Sequence, residues 1–216
     1  MDSFSLIQFE YMLKGLGWTI VLSLISFALG TVGGFGVMLA RVSRLRPVRL
    51  IAALLIQIVQ GIPLLVLLFI VFFGVSIFGI DVDPLAAASV ALMLYVSAFL
   101  GDIWRGSIES VQKTQWEAAE CLGLSRWQSM RLVIIPQAVK LSLPSTVGFL
   151  VQVVKSTSLA SVVGFVELTR AGQIIDNSLF QPFLVFALVG LFYFCLCYPL
   201  SRWSRAMERK LNVGNR

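Results

Sequence analysis

The chain has 216 residues, 58% of them hydrophobic, with a mean hydropathy of +0.89 and a net charge of +6. Soluble domains average about 45–50% apolar residues, so this composition excludes an ordinary soluble enzyme and indicates a single integral membrane domain over residues 1–216. The absence of His excludes a His-based catalytic triad, metal site or pH switch, and surplus Lys and Arg in a membrane chain mark topology rather than nucleic-acid binding.

Asp2 and Glu10 place acid where a secretory leader carries base, and the first apolar run is too long for a leader core, so no leader is expected. The first predicted span covers 15–40, enough for ~30 Å of hydrocarbon. Gly30, Gly33, Gly34 and Gly36 cluster in it. Small residues let membrane helices approach closely, which serves either packing or movement between helices. The second span covers 50–78. Its uncharged run, Leu50–Ile80, is too long for one straight span and too short for two, and Gly61 with Pro63 should kink or break it. The third span covers 85–109 and carries Asp102 and Arg105.

A polar island follows, Thr114 to Ser125, with Trp116 near its start and Trp127 just past its end. Thr114 with Glu117 reads as a capping box, and Gly123 as the stop of a short helix. Ser125 with Gln128 reads as a second capping box, and Pro136 as the end of the second helix. Trp127, Met130, Arg131 and Ile134 share one face of that helix and are expected to pack under the bundle. The island, 113–136, is thus a predicted helix-turn-helix that docks something. The fourth span, 141–166, contains Lys155, and the fifth covers 177–201. Cys195 and Cys197 in the fifth, like Cys121, have spacing suited to neither a disulfide nor a zinc site and read as inert thiols.

Five spans put the termini on opposite sides. Most of the 17 Lys and Arg then share one side: Arg41, Arg44, Arg46 and Arg49; Arg105, Lys113, Arg126, Arg131 and Lys140; and Arg202, Arg205, Arg209, Lys210 and Arg216. Basic loops stay inside, so the N-terminus is expected outside and the C-terminus in the cytoplasm. Asp102, Arg105 and Lys155 need explanation, because a charge at a span centre costs at least ~2.5–3.5 kcal/mol unless paired or wetted. Asp102 and Arg105 are three apart on one helical face and either neutralise each other or let Arg105 snorkel to the surface. Lys155, followed by Ser156, Thr157 and Ser158, either binds a carboxylate beside those hydroxyls or pairs with Asp102. The hydroxyls equally suit back-bonding to their own helix.

Glu117-Ala118-Ala119, then Gly123, then Val133-Ile134-Ile135-Pro136 resembles the Glu-Ala-Ala loop of permease subunits of bacterial ABC importers. Gln60-Gly61-Ile62-Pro63-Leu64 and Asp102-Ile103-Trp104-Arg105-Gly106 resemble signatures of the polar amino-acid uptake branch. Pro136-Gln137-Ala138, Lys155-Ser156-Thr157-Ser158-Leu159 and Glu167-Leu168 with Arg170 resemble three more. The resemblance implies an all-α, five-span permease bundle in the bacterial inner membrane. Its partners would be a second permease subunit, two ATP-binding cassette subunits carrying ATP and magnesium, and a periplasmic binding protein delivering an amino acid.

By the same resemblance, Glu117, Ala118, Ala119, Gly123 and Pro136 would couple to the ATPase. Lys155, Thr157, Ser158, Asp102, Gln60 and Gly148 would line the substrate pathway. Gln60 and Ile62 replace the family's usual Arg and Thr, Gly148 stands where many relatives have Asn, and Asp102 shortens a Glu. These departures favour pairing with a different permease subunit over a homodimer. The chain has no phosphate-binding Gly-x-x-x-x-Gly-Lys loop, so it is not expected to hydrolyse ATP or to hold a cofactor. An ion-gradient-driven transporter using Asp102 and Lys155, and a non-transport membrane partner of an ATPase, are the competing expectations.

Overall fold

Side chains along a glycine-lined seam decide how the helices meet. The computed structural model of the protein describes residues 5–213; Asp2 and Arg216 lie outside them. The elements, all helical, are α1 (Leu6–Arg41), α2 (Arg46–Gly61), α3 (Leu64–Ser76), α4 (Pro84–Glu109), α5 (Lys113–Cys121), α6 (Arg126–Gln128), a π-helical segment (Ser129–Ile134), α7 (Ile135–Ser156), a 3₁₀ segment (Thr157–Val163), α8 (Leu168–Leu179) and α9 (Pro182–Val213). Among the described residues, four helical stretches are long and apolar enough to cross a membrane: α1, α4, the continuous run Arg126–Val163, and α9. The α2–α3 pair makes a fifth if it is one span. Many large apolar side chains stay exposed, including Val32, Phe35, Leu54 and Phe194, as a lipid-facing surface requires.

Local chemistry explains most boundaries. Asp83 caps α4, accepting from the Leu85 and Ala86 amides at 2.9 and 3.2 Å, with Pro84 at its first turn. The break expected at Gly61 and Pro63 is present. Pro63 has no amide hydrogen to continue the ladder, and the chain bends by 101° between α2 and α3. Gly123 adopts φ +71°, a conformation that costs a glycine little, and lets the chain reverse after α5.

α1 is the spine. At one end its Met12 packs with Leu168 and Ile175 of α8 and with Val185 and Val189 of α9. Leu22 meets Leu68, Ala88, Ala91 and Ala160. At the other end Met38 joins Ile108, Val111, Ile134 and Ala138. Between these clusters α1 lies directly on α4. A Cβ on Gly34 would sit 2.9 Å from that of Leu100, and one on Gly30 or Gly33 would collide with Val96 or Ser97. Gly36, in contrast, faces open space. Of the four clustered glycines, three are packing residues.

Several boundaries differ from expectation. α1 begins at Leu6, well before residue 15. Pro136, expected to end the second helix of the island, does not end one. It lies in the first turn of α7, where its missing amide leaves no orphan donor, and the wide π segment before it gives its ring room. The helix therefore runs unbroken from Arg126 to Val163. α9, the helix that holds most of the fifth expected span, starts at Pro182. Residues 177–179 instead end α8, a separate helix that closes on Phe180 at φ 54°.

Gly30→Ala and Gly36→Ala test the seam through opposite signs. Alanine raises intrinsic helix stability by roughly 0.5–1 kcal/mol over glycine, so Gly36→Ala should hold or raise the melting temperature of the detergent-solubilised protein. Gly30→Ala should lower it, since overpacking costs about 1–3 kcal/mol.

Candidate functional site

The polar island forms a hairpin at the end of the bundle where Arg41, Arg44 and Arg126 also lie. α5 starts one residue earlier than Thr114, with Gln112 at its cap and no side-chain cap bond, so the Thr114–Glu117 capping box is not formed. Glu117 lies 3.6 Å from Lys113 instead, a solvent-exposed pair on the same face. The second capping box is present: Gln128 donates its amide to Ser125 Oγ at 3.4 Å, and the Ser125 amide donates to Gln128 Oε1 at 2.8 Å.

Ala119 is buried, and Trp116 packs on the Met38–Ile134 cluster. Gln137 donates to Gln115 Oε1 at 3.1 Å, which ties α5 to α7. With that inner face anchored, Glu117, Ala118, Cys121, Leu122 and Gly123 are left exposed, Leu122 at 77%. This is a rigidly mounted outward face with a carboxylate, a small side chain that permits close approach and an apolar tip.

The expected packing of the second helix is half right. Ile134 is fully buried and Met130 packs against the same cluster, but Trp127 is 71% exposed and Arg131 is also exposed. A π segment advances fewer degrees per residue than an α-helix, so a face drawn at 3.6-residue spacing does not survive passage through Ser129–Ile134.

On α4, Arg105 lies between two carboxylates, 3.0 Å from Asp102 and in contact with Glu109. The Asp102–Arg105 pairing is therefore present, and Asp102 does not reach Lys155. A cleft of about 410 Å³ is lined by Asp102, Arg105, Ser107, Ser110, Leu141 and Ser145. A second, of about 300 Å³, shares Leu141 and Ser145 and adds Pro144, Gly148, Ser204 and Glu208. Asp102 and Gly148 thus border one polar groove across α4, α7 and α9.

Gln60, Lys155, Thr157 and Ser158 line neither cleft. Gln60 is exposed one residue before the end of α2. Lys155 is exposed in the last turn of α7, with no ion-pair partner among the described residues. Thr157 and Ser158 donate to the Val154 and Lys155 carbonyls, each at 2.7 Å, so their hydroxyls back-bond to the helix. Sequence reasoning missed Ser145 and Ser204; a lone serine in an apolar helix carries no signal of what it will face.

It also missed the role of Glu167. This side chain is fully buried and caps α8, accepting from the Arg170 and Thr169 amides at 2.9 Å each. Tyr193 of α9 donates to it at 2.8 Å and Thr19 of α1 at 3.5 Å. Thr19 Oγ1 in turn accepts from the Leu168 amide at 3.1 Å. One carboxylate therefore joins α1, α8 and α9. Burial holds its pKa above the ordinary carboxylate value, and the amide donors offset this only in part.

An all-helical bundle with bent and unbroken spans, a polar groove and an exposed hairpin at one end defines a polytopic membrane protein of the permease class. Residues 32–213 match the family of binding-protein-dependent transport system inner membrane components, and the chain belongs to that family. It is 38% identical to a probable amino-acid ABC transporter permease, YckA of Bacillus subtilis (strain 168), over 94% of this chain and 90% of that protein. The L-cystine transport system permease TcyB of the same organism is 35% identical over 92% and 85%. The glutamine transport system permease GlnP of Escherichia coli (strain K12) is 32% identical over 94% and 93%. Among solved structures, that of an amino acid ABC transporter with histidines superposes with a TM-score of 0.90 at 30% identity, covering 97% of this chain and all of that one. The MetNI methionine transporter shares the fold, with a TM-score of 0.74 at 19% identity.

Tyr193→Phe removes one donor to Glu167 and should lower thermal stability by about 1 kcal/mol. Glu167→Ala leaves two amides and the Tyr193 hydroxyl without their acceptor, while Thr19 keeps the Gly15 carbonyl at 3.2 Å, and should cost more, on the order of 1–3 kcal/mol. A thermal melt of the purified protein in detergent reads both.

Proposed function

We propose that the chain is the permease subunit of an ATP-driven amino-acid importer in the bacterial inner membrane. In this reading it has five spans, with α2–α3 as one broken span, the N-terminus outside and the C-terminus in the cytoplasm. The observation that carries it is the α5 hairpin: anchored by Ala119, Trp116 and Gln115, it offers Glu117, Ala118 and Leu122 outward at the basic end of the bundle. Family membership and similarity to amino-acid permeases support the same reading.

α5 is then the coupling helix seated on a cytoplasmic ATPase, with Ala118 permitting close approach, Gly123 the turn, and Pro136 opening the span behind it. Glu117 makes a charge-assisted contact to a basic ATPase residue. ATP and magnesium belong to that partner. Closure of two ATPases draws two such helices together, and the permease pair rocks to face outward. A periplasmic binding protein then releases an amino acid into the cavity.

The groove bordered by Asp102 and Gly148 is the better candidate for the pathway in this chain. Lys155 and Gln60, both exposed, contribute with Ser158 from the face that meets a second permease subunit, and the fully buried Thr157 acts only by holding the backbone behind them. The departures at Gln60, Ile62, Asp102 and Gly148 from the family's usual residues favour a different subunit over a second copy.

Glu117→Lys reverses the charge at the proposed ATPase contact. Charge-assisted hydrogen bonds contribute about 1.5–3 kcal/mol, so ATP-driven uptake should fall on the order of tenfold or more while membrane insertion is unchanged. Normal uptake in that variant overturns the coupling assignment. Lys155→Ala should reduce uptake more than it reduces co-purification of the partner subunits; unchanged uptake removes Lys155 from the pathway. Uptake by this chain reconstituted without any ATPase points to an ion-gradient transporter instead.

A further inference from the structure

A groove of about 300 Å³ runs between Phe35 and Met38 of α1, Trp104 of α4, and Val139 and Leu143 of α7. It is separate from the polar groove, and its polar lining is internally occupied. Trp104 Nε1 donates to Thr146 Oγ1 at 3.0 Å, and Ser142 Oγ donates to the Val139 carbonyl at 3.0 Å. A zwitterionic amino acid would find no charge to meet there, and burying its charges unpaired is costly. The lining suits a hydrocarbon chain.

The same helix carries a different chemistry one turn nearer its start. Arg131 is exposed about one turn before Ile135, which lines the groove, and it has no ion-pair partner among the described residues. Trp127 precedes it by four residues and is 71% exposed. Trp at the headgroup level beside an Arg is the pattern of a membrane–water interface, and a basic side chain there attracts anionic headgroups. These are the two side chains that the π segment turned away from the core.

We propose that this groove is a binding site for an anionic phospholipid of the cytoplasmic leaflet, its acyl chain between Met38, Trp104 and Val139 and its phosphate on Arg131. The site rests on the proposed orientation, with the α5–α7 end in the cytoplasm. A lipid wedged there would brace the root of the α5 hairpin, because Met38, Trp104, Trp116 and Ile134 belong to one cluster.

The test uses the transporter purified with its partner subunits, stripped of lipid and titrated with phosphatidylglycerol or chain-matched phosphatidylcholine. Native mass spectrometry reads lipid retained. Wild type should prefer phosphatidylglycerol roughly fivefold, the gain expected from one basic side chain near an anionic surface. Arg131→Gln should abolish the preference while keeping chain retention. Val139→Trp, which fills the groove at an exposed position, should lower retention of both lipids. Arg209→Gln, at an exposed position of α9 that does not line this groove, should change neither.

No headgroup preference in wild type, or an equal loss in Arg209→Gln, overturns the site. A photo-crosslinker at Val139 that captures a partner subunit instead of lipid also overturns it, since the groove would then be an interface between proteins. Retention is measured without ATP or uptake. An inactive complex that still selects phosphatidylglycerol refutes the transport reading alone, and an active complex without selection refutes the lipid site alone.

Discussion

The close approach of α1 to α4 is the constraint on which the remaining structure depends. Lipid is as apolar as leucine, so membrane helices gain little from burying hydrocarbon against each other and associate through tight van der Waals contact. Gly30, Gly33 and Gly34 remove the side chains that would hold the helices apart, and Gly101 does the same from the α4 side. With that distance set, α1 reaches α8 and α9 at one end and the α4–α7 cluster at the other. Glu167 secures the first of these ends by hydrogen bonds and Met38 the second by packing.

The hairpin inherits its position from this frame. Trp116 and Ile134 meet in the cluster that Met38 builds, and Gln137 holds Gln115 from α7. An exposed docking helix needs such anchorage: a helix as short as α5 is marginal on its own, and tertiary contacts hold it in register. The π segment couples two needs. It accommodates Pro136 without ending the helix, and it rotates Trp127 and Arg131 outward while Ile134 stays inside. A continuous helical run from Arg126 to Val163 then joins the hairpin to the residues just before Glu167.

Much of the fold was legible in local chemistry. The break at Gly61 and Pro63 follows from a missing amide, the turn at Gly123 from a positive φ, and the Ser125 cap from one hydroxyl at the right spacing. The Asp102–Arg105 pair follows from helical spacing. Each of these signals acts over a few residues. The errors share a different origin. Pro136 reads as a stop because a π turn has no sequence signature, and a face through Trp127 and Arg131 drawn at 3.6-residue spacing fails for the same reason. A Lys155–Asp102 pair is compatible with the sequence because a sequence does not say which sides of α4 and α7 face each other.

The sequence by itself determined a membrane protein, the apolar segments and their breaks, the basic end of the bundle, and the likeness to permeases that family membership bears out. Only the tertiary structure decided which glycines pack, which serines border the polar groove with Asp102 and Gly148, and where Arg131 points. It alone brought Thr19 to Glu167 across 148 residues of chain. Composition and spacing record what each helix is made of; the contacts between helices depend on their rotation about their own axes. Close-packed glycines and one π turn set that rotation here.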